Sequence, residues 1–303
     1  MAQALRSRQS LYYVAEVTPG TTPATPTLIE IPIAGIPTLN VAKDVNRSSR
    51  INSNRQSNTV RHGTRRSEGE IPIELAYGDF DALFESLMRG TWATNVLKVV
   101  TTQKFFTLER RFPDISEFQP FTGCMMNTFS LSAQPNGMIT GNFGVLGLGG
   151  MTPASATVAT TSTATPGNEP FDGFTGTITE GGASANINAL ELSITNNGAL
   201  PYVIGSDTAP GVNSGMFAAT GTVTAFFETE ALINKFLDET ESALAVTFEG
   251  INGGDLAMAL PRLKYTGSSI TEADEGLLVS MPFEALYSTA DSTTLTLTRT
   301  PAA

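Results

Sequence analysis

The sequence predicts a mainly β protein built from two tandem β-sandwich or β-barrel domains, each with one short flanking α-helix. Runs that alternate apolar and polar residues recur along the 303 residues, and turn-forming sequences separate them. Only two segments have the residue spacing of an amphipathic helix. A stretch of small residues, 151–170, lies at the midpoint and leaves two parts of about 150 residues, an ordinary domain size.

The predicted strands begin with residues 28–33 and 71–75, which combine alternation with β-branched residues. Pro72 lies inside the second run and predicts an edge strand or a bulge, because proline cannot donate a ladder hydrogen bond. Turns are predicted at 135–137, 252–254 and 274–276. The other predicted strands are 104–109, 125–132, 138–146, 188–194, 221–227, 243–249, 258–265, 277–284 and 293–299.

Each of the two predicted helices follows a strand. Asp79 is expected to cap the first helix and Gly90 to end it. Thr229 is expected to cap the second helix. Because each helix has one apolar face, each is expected to cover an open side of a sheet or barrel. The apolar faces are Phe80, Leu83, Phe84 and Leu87 in the first helix, and Leu232, Ile233, Phe236 and Leu237 in the second.

The stretch 151–170 consists almost entirely of Ala, Ser, Thr, Pro and Gly. Such a segment has too little apolar surface for a core, so we expect a linker. The predicted organisation is therefore a first β domain over 1–150, a linker over 151–170 and a second β domain over 171–303.

The two halves share an order of elements. Asp81-Ala82-Leu83-Phe84 resembles Glu230-Ala231-Leu232-Ile233, and a strand that begins at a glycine, Gly69 or Gly221, precedes each. These matches predict a duplicated domain, although two unrelated β domains can match this well by chance. Three duplicated chains would close a pseudo-sixfold ring.

Charge is sparse and unevenly divided. Charged residues make up 16% of the chain, below the usual figure of about 25%. This indicates surface hidden in an assembly, or else a compact β protein rich in Ser, Thr and Gly. Residues 1–150 carry 14 Lys or Arg and 12 Asp or Glu, whereas 151–303 carry 4 and 17. Such halves can attract copies of the chain head to tail, and the alternative is that the acidic half only provides solubility.

No catalytic, cofactor-binding or metal-binding residue is predicted. The chain has one Cys, Cys124, and one His, His62, which excludes an intrachain disulfide and Cys₄ or Cys₂His₂ zinc sites. No Walker A, Gly-x-Ser-x-Gly or His-Glu-x-x-His pattern is present. No apolar run of about 18 residues occurs and the N-terminus lacks an apolar signal core, so neither a membrane span nor secretion is expected.

Residues 42–70 are rich in arginine and almost devoid of apolar side chains, which predicts a long loop outside the core. Nucleic-acid binding is disfavoured, because the stretch lacks aromatic residues and the chain has a net charge of −11. The loop is either simply solvated or an arm that docks on the acidic half of another copy through bidentate arginine–carboxylate pairs. The candidate contact residues are Arg47, Arg50, Arg55, Arg61, Arg65 and Arg66.

Several segments resemble the major tail tube protein family of long-tailed bacteriophages (siphophages), in its duplicated two-domain type. The first half contributes Arg66–Gly78, Phe121–Thr128 and Ser132–Gly137. The second half contributes Gly176–Gly182, Asn234–Leu237 and Leu260–Gly267. The resemblance covers roughly residues 5–290, with no catalytic motif to anchor it.

The resemblance implies tail-tube-like β domains whose sheets join into a continuous barrel around a lumen. It implies a homo-oligomer, with trimeric pseudo-hexameric rings that stack through a long loop, here 42–70. The implied partners are the tape measure, tail terminator and tail tip proteins, while DNA passes through the lumen without specific binding. The implied location is the virion tail, after assembly in the cytoplasm of the infected bacterium.

Two other classes stay open on the residues alone. One is a different virion β protein, such as a capsid decoration or a fibre module. The other is a β-sandwich enzyme, since carboxylate pairs such as Asp79 with Asp81 are the minimum that a glycosidase needs. Capping and solvation explain those carboxylates more simply.

Overall fold

The structure is a computed structural model that describes residues 3–51, 53, 56, 59–251, 254–274 and 276–302. It contains a 3₁₀ helix at Arg6–Arg8 and two α-helices, α1 (Asp81–Met88) and α2 (Ala231–Leu237). The strands are β1 (Ser10–Glu16), β2 (Thr27–Ile31), β3 (Asn40–Arg47), β4 (Val60–Glu74), β5 (Val96–Lys98), β6 (Phe105–Phe112), β7 (Glu117–Ala133), β8 (Thr140–Met151), β9 (Thr161–Thr163), β10 (Thr177–Glu180), β11 (Ala183–Ser184), β12 (Ile187–Thr195), β13 (Ala218–Phe226), β14 (Ser242–Phe248), β15 (Asp255–Tyr265), β16 (Ser269–Ala273), β17 (Gly276–Ala285) and β18 (Thr296–Thr300).

The prediction of a mainly β fold is confirmed, and every predicted strand coincides with an observed one. Pro72 lies where β4 pairs with β8 alone, since the β3 ladder stops at Glu68. This confirms the predicted edge position. Strands β1, β3, β5, β9, β10, β11 and β16 were not predicted, because each is short or lacks a clear alternation of apolar and polar residues.

The strands of the two halves pair in the same order. In the first half β6 pairs with β1 and β7, while β8 pairs with β7 and β4. In the second half β14 pairs with β10 and β15, while β17 pairs with β15, β16 and β13. All of these ladders are antiparallel.

The β7–β12 ladder joins the halves into a continuous sheet, and a shorter β5–β18 ladder also connects them. Strand β12 of the second half pairs antiparallel with the end of β7, from Leu190 opposite Ala133 to Thr195 opposite Thr128. The resulting strand order is β3–β4–β8–β7–β12–β13–β17–β16. We call this the long sheet.

One side of the long sheet is packed into the core against α1. The ring of Phe84 on α1 meets Phe129 and Phe143 edge-on, with 5.2 Å between ring centroids in each pair. Such edge-to-face pairs add to the free energy gained from burial. The predicted apolar face of α1 is confirmed, because Phe80, Leu83, Phe84 and Leu87 are all buried.

The ends of the helices differ from the predictions. The N-cap position of α1 is Phe80 rather than Asp79, without a side-chain cap, and Arg89 ends the helix in the left-handed conformation one residue before Gly90. Helix α2 has Glu230 at its N-cap position, one residue after the expected Thr229, but the Thr229 hydroxyl accepts a hydrogen bond from the Ala231 N–H at 3.4 Å. Leu237 is 65% exposed and does not belong to the packed face, because α2 ends at that residue and turns it outward.

The predicted long loop over 42–70 is wrong. Most of the stretch forms a β-hairpin in which β3 pairs with the first part of β4, from Asn40 opposite Glu68 to Arg47 opposite Val60. Main-chain hydrogen bonds hold this hairpin, so it needs no apolar core and leaves no apolar periodicity in the sequence. Only residues 48–59 connect the two strands.

Residues 151–170 lie along the first half. Strand β9 pairs in parallel with β2, and Ala154 and Pro170 form single bridges with Phe118 and Ala76. The buried carboxylate of Glu109 accepts hydrogen bonds from the Thr157 hydroxyl (2.6 Å) and the Val158 N–H (2.7 Å). We call this segment the strap.

Candidate assembly surfaces

The β3–β4 hairpin and its connection form an arm, here defined as residues 40–66. The side chains of Arg47, Arg50 and Arg61 are exposed. None of the three has an ion pair within the part of the chain that the structure describes. Arg55 lies outside the described residues. The arm therefore presents free guanidinium groups that can bind anionic groups of another molecule.

Two of the predicted contact arginines bind within their own chain. Arg65 Nε lies 3.1 Å from Asp207 Oδ2, and the Arg65 N–H donates to the Asp207 carbonyl at 2.8 Å. Arg66 Nε donates to Glu68 Oε2 at 2.7 Å, and this hydrogen bond raises the pKa of Arg66. The structure thus divides the predicted set into an exposed group on the arm and an anchoring pair at its base.

The end of the long sheet opposite the arm is acidic. The described ends and connections that meet there are 74–79, 133–139, 171–176, 226–230, 249–251, 254–255, 272–274 and 276–277. They contain no Lys or Arg. Their described acidic residues are Glu74, Asp79, Asp172, Glu228, Glu230, Glu249, Asp255, Glu272 and Asp274. The molecule is therefore polarised, with exposed arginines at the arm end and carboxylates at the acidic end.

The long sheet ends in strands with unpaired edges. Strand β3 pairs with β4 and β16 with β17, and neither has a second strand partner among the described residues. Pro37–Leu39 lead into β3 beside β4, where the Thr38 N–H donates to the Glu70 carbonyl at 3.0 Å. Ile270 on β16 is 48% exposed, although such apolar side chains are usually covered in a sheet. Unpaired edges of this kind can pair with another chain.

The side of the long sheet that faces away from the core is polar. It forms an open groove of about 610 Å³ across β8, β7, β12, β13 and β17. Ser, Thr, Asn and Glu side chains dominate its lining, and no Lys or Arg lines it. The core side chains Leu131, Leu192 and Phe283 alternate with these polar groups along the strands. Glu191 and Glu284 are the charged residues that line this groove.

The residues that carry chemistry in many enzymes are dispersed. Cys124 is fully buried, its thiol donates to the Phe121 carbonyl at 3.6 Å, and burial raises its pKa. His62 is exposed on the arm. Burial raises the pKa of Asp79 to about 6, against a weak hydrogen bond from the Asn168 amide. Among the described residues, no group of three or more His, Cys, Asp or Glu is placed to hold a metal ion.

Unpaired sheet edges, opposite charges at the two ends and a polar concave face are features of a structural β protein that assembles. The sequence matches the family described as phage tail tube protein over residues 6–285, nearly the whole chain. The chain belongs to this family and is a structural component of the phage tail that builds a tube with copies of itself. No curated protein matches the sequence.

In the described part of the chain, neither helix has the length and apolar character needed to cross a membrane.

Proposed function

We propose that the chain forms trimeric rings that stack into the phage tail tube, and that this tube conducts DNA into the host. The observation that carries the proposal is the β7–β12 ladder, which joins the two halves within one chain. The equivalent strand edges at the two sides of the long sheet are unpaired among the described residues of a single chain, so they can form the same kind of ladder between copies. The chain has a structural role and catalyses no reaction. The runner-up, a capsid decoration or fibre module, does not require the open edges to meet in a ring.

The matching strand orders support a duplicated domain. The β4–β8 and β13–β17 ladders place Gly69 and Gly221 at matching positions, opposite Val145 and Phe283. Leu131 likewise matches Ile270: the residues opposite them are Gly141 and Val279, and each of these lies four positions before the residue opposite the glycine, Val145 or Phe283. Leu192 then matches Leu39, since each lies opposite the glycine of its half. The residues at the open edges that correspond to the β7–β12 junction are therefore known.

That counterpart lies between copies of the chain. Residues 37–42 of one copy pair antiparallel with residues 267–272 of the next, and Leu39 lies opposite Ile270, as Leu192 lies opposite Leu131 within the chain. The pairing covers Ile270, which is 48% exposed in the single chain, whereas Leu131 is 3% exposed. Burial of an apolar side chain of this size contributes about 1–2 kcal/mol.

Repeating this junction closes a ring. Two pseudo-equivalent halves per chain and two alternating junctions give a pseudo-sixfold ring from three copies. The polar face of the long sheet then lines the channel, with Glu191 and Glu284 in its wall. Such a wall repels phosphates and offers no cation to hold them, so DNA passes without specific binding.

Rings stack head to tail through the polarity of the molecule. The arm of one ring, with Arg47, Arg50 and Arg61, reaches the acidic end of the next ring. Arg55, which lies outside the described residues, is included in this proposal, while Arg65 and Arg66 hold the base of the arm. The rings assemble in the cytoplasm of the infected bacterium, and the tube meets the tape measure, tail terminator and tail tip proteins.

A disulfide tests the ring junction. Asn40 and Ser269 are exposed and lie opposite each other in the proposed pairing, at a distance that suits a disulfide across antiparallel strands. The Asn40→Cys, Ser269→Cys variant should form a covalent trimer on oxidation, measured by non-reducing electrophoresis. Axial electron micrographs should then show closed rings with a central hole.

The Asn40→Cys, Glu272→Cys variant is the matched control, because its cysteines are out of register. Equal cross-linking of both variants would show that the cysteines meet by random collision. Cross-linked open chains or strictly monomeric protein would refute the ring.

A further inference from the structure

A second site lies at the arm end of the molecule, below the ends of β12, β13 and β17. It is a cavity of about 490 Å³. Its walls are largely apolar and include Val100, Met216, Phe217 and Leu286. Met216 is 83% exposed although it lies beside buried strands. We call this space the Arg89 cavity.

Arg89, the basic residue in the wall of this cavity, is buried without a hydrogen-bond partner for its guanidinium in the described part of the chain. Arg89 is only 4% exposed, and its Nε and Nη2 atoms have no hydrogen-bond acceptor among the described residues. The main chain fixes this position, because Arg89 ends α1 in the left-handed conformation and its carbonyl accepts a hydrogen bond from the Thr102 N–H at 3.1 Å. A buried cation without a partner destabilises a protein strongly, unless an anionic group binds it.

The nearby carboxylates of the same chain do not fill this role. Glu85, one turn before Arg89, accepts hydrogen bonds from Lys104 and from the Trp92 N–H. Glu284 lies at the rim of the cavity but forms no ion pair with Arg89. The cavity therefore has apolar walls and a guanidinium that is free to bind a carboxylate from outside.

We propose that the Arg89 cavity receives a carboxylate side chain from the acidic end of a second copy of this chain. The cavity opens at the arm end, and head-to-tail stacking brings the acidic end of the next copy there. The arm itself is basic and would be repelled by Arg89. The inference rests on the proposed stacking and adds to it a specific, partly apolar contact beside the exposed arginines.

The site predicts an unusual pair of effects for Arg89→Met. In the isolated subunit the variant should be at least as stable as the wild type, since it removes an unpaired buried charge. In assembly it should raise the protein concentration needed for tubes about tenfold or more, since a buried charge-assisted hydrogen bond is lost. Thermal melts of dilute subunits and sedimentation of tubes measure the two effects.

Sodium acetate serves as a probe of the free site. It should raise the melting temperature of the wild-type subunit above that in sodium chloride of equal ionic strength, but not that of Arg89→Met. Arg262→Met is the matched control, because Arg262 is exposed and already paired with Glu241. This control should show no acetate effect.

Three outcomes would overturn the inference. A destabilised Arg89→Met subunit would show that Arg89 has an internal structural partner. Normal tube formation by this variant, with or without the acetate effect, would show that no second copy occupies the cavity. If the wild type itself forms no tubes, the proposed function fails and this inference falls with it, whereas a defect confined to the variant supports both.

Discussion

The surroundings of Asp79 change the pKa of its carboxyl group. Burial raises its pKa from 3.8 to about 6, and the weak hydrogen bond from Asn168 only partly opposes this. The folded protein therefore binds a proton that the unfolded chain releases between about pH 4 and pH 6. The stabilising effect of that proton is complete below pH 4 and is lost as the pH rises through 6.

The Asp79→Asn variant should consequently be more stable than the wild type at pH 7.5, by about 1 kcal/mol once solvent screening is allowed for. The difference should shrink as the pH falls towards 4, since the neutral acid and the amide then resemble each other. Urea unfolding of dilute subunits across this range measures it. Asp172→Asn is the contrasting variant, because hydrogen bonds from Thr175 and Phe174 outweigh burial and lower the pKa of Asp172. If Asp79→Asn raised the free energy of unfolding equally at every pH, the raised pKa of Asp79 would not be the cause.

One buried carboxylate adds to the main-chain contacts that hold the strap. Glu109 is fully buried and accepts hydrogen bonds from Arg111 Nε (2.6 Å), the Thr157 hydroxyl and the Val158 N–H. Glutamine cannot accept at both positions, so Glu109→Gln should leave a buried donor unpaired and cost about 3 kcal/mol. Elastase should then cut within 151–170 at a higher rate. The exposed neighbour Glu117→Gln is the control, and equal cleavage of both variants would show that Glu109 does not hold the strap.

At the scale of elements, the sequence predicted best where a core enforces a pattern. Strand β14 alternates buried and half-buried residues along its whole length, and its position follows from that alternation. The arm could not be predicted in this way, because Lys43, Asp44 and Asn46 in β3 are exposed, and pairing with β4 rather than apolar burial makes it a strand. Leu237 was assigned to the packed face because it has the spacing of an apolar helix face. Spacing cannot reveal that α2 ends at this residue and leaves its side chain 65% exposed.

A candidate site could be predicted from the sequence when its residues lie close together in the chain. The arginines of the arm are close in sequence and stand out by composition, whereas only the fold shows that Arg65 faces Asp207. The Arg89 cavity combines residues from six separate segments, among them those around 89, 100, 216 and 286. No sequence pattern joins these segments, so only the fold brings them together.

At the scale of the whole molecule, charge and sheet edges act along different directions. The unpaired edges of β3 and β16 lie at the two sides of the long sheet, and in the proposed assembly they direct growth around a ring. The exposed arginines and the acidic end lie at the two ends of the strands, and in the same proposal they direct growth along an axis. The proposed contacts through the edges are mainly hydrogen-bonded and apolar, whereas those between the ends are ionic. Salt should therefore weaken stacking much more than ring closure.

The arm variant Arg47→Ser, Arg50→Ser, Arg61→Ser separates these two directions. Its subunit should fold normally, because these side chains make no ion pair in the described part of the chain. Three exposed ion pairs contribute about 1–2 kcal/mol per subunit, so tubes should fall apart into rings at a clearly lower salt concentration than wild-type tubes. Electron micrographs across a salt series measure this.

Replacing Arg6, Arg8 and Lys264 by serine removes the same charge elsewhere and should weaken stacking less. Tubes of unchanged salt resistance would show that the arm does not link rings, and dissociation directly to monomers would place the arm in the ring junction instead.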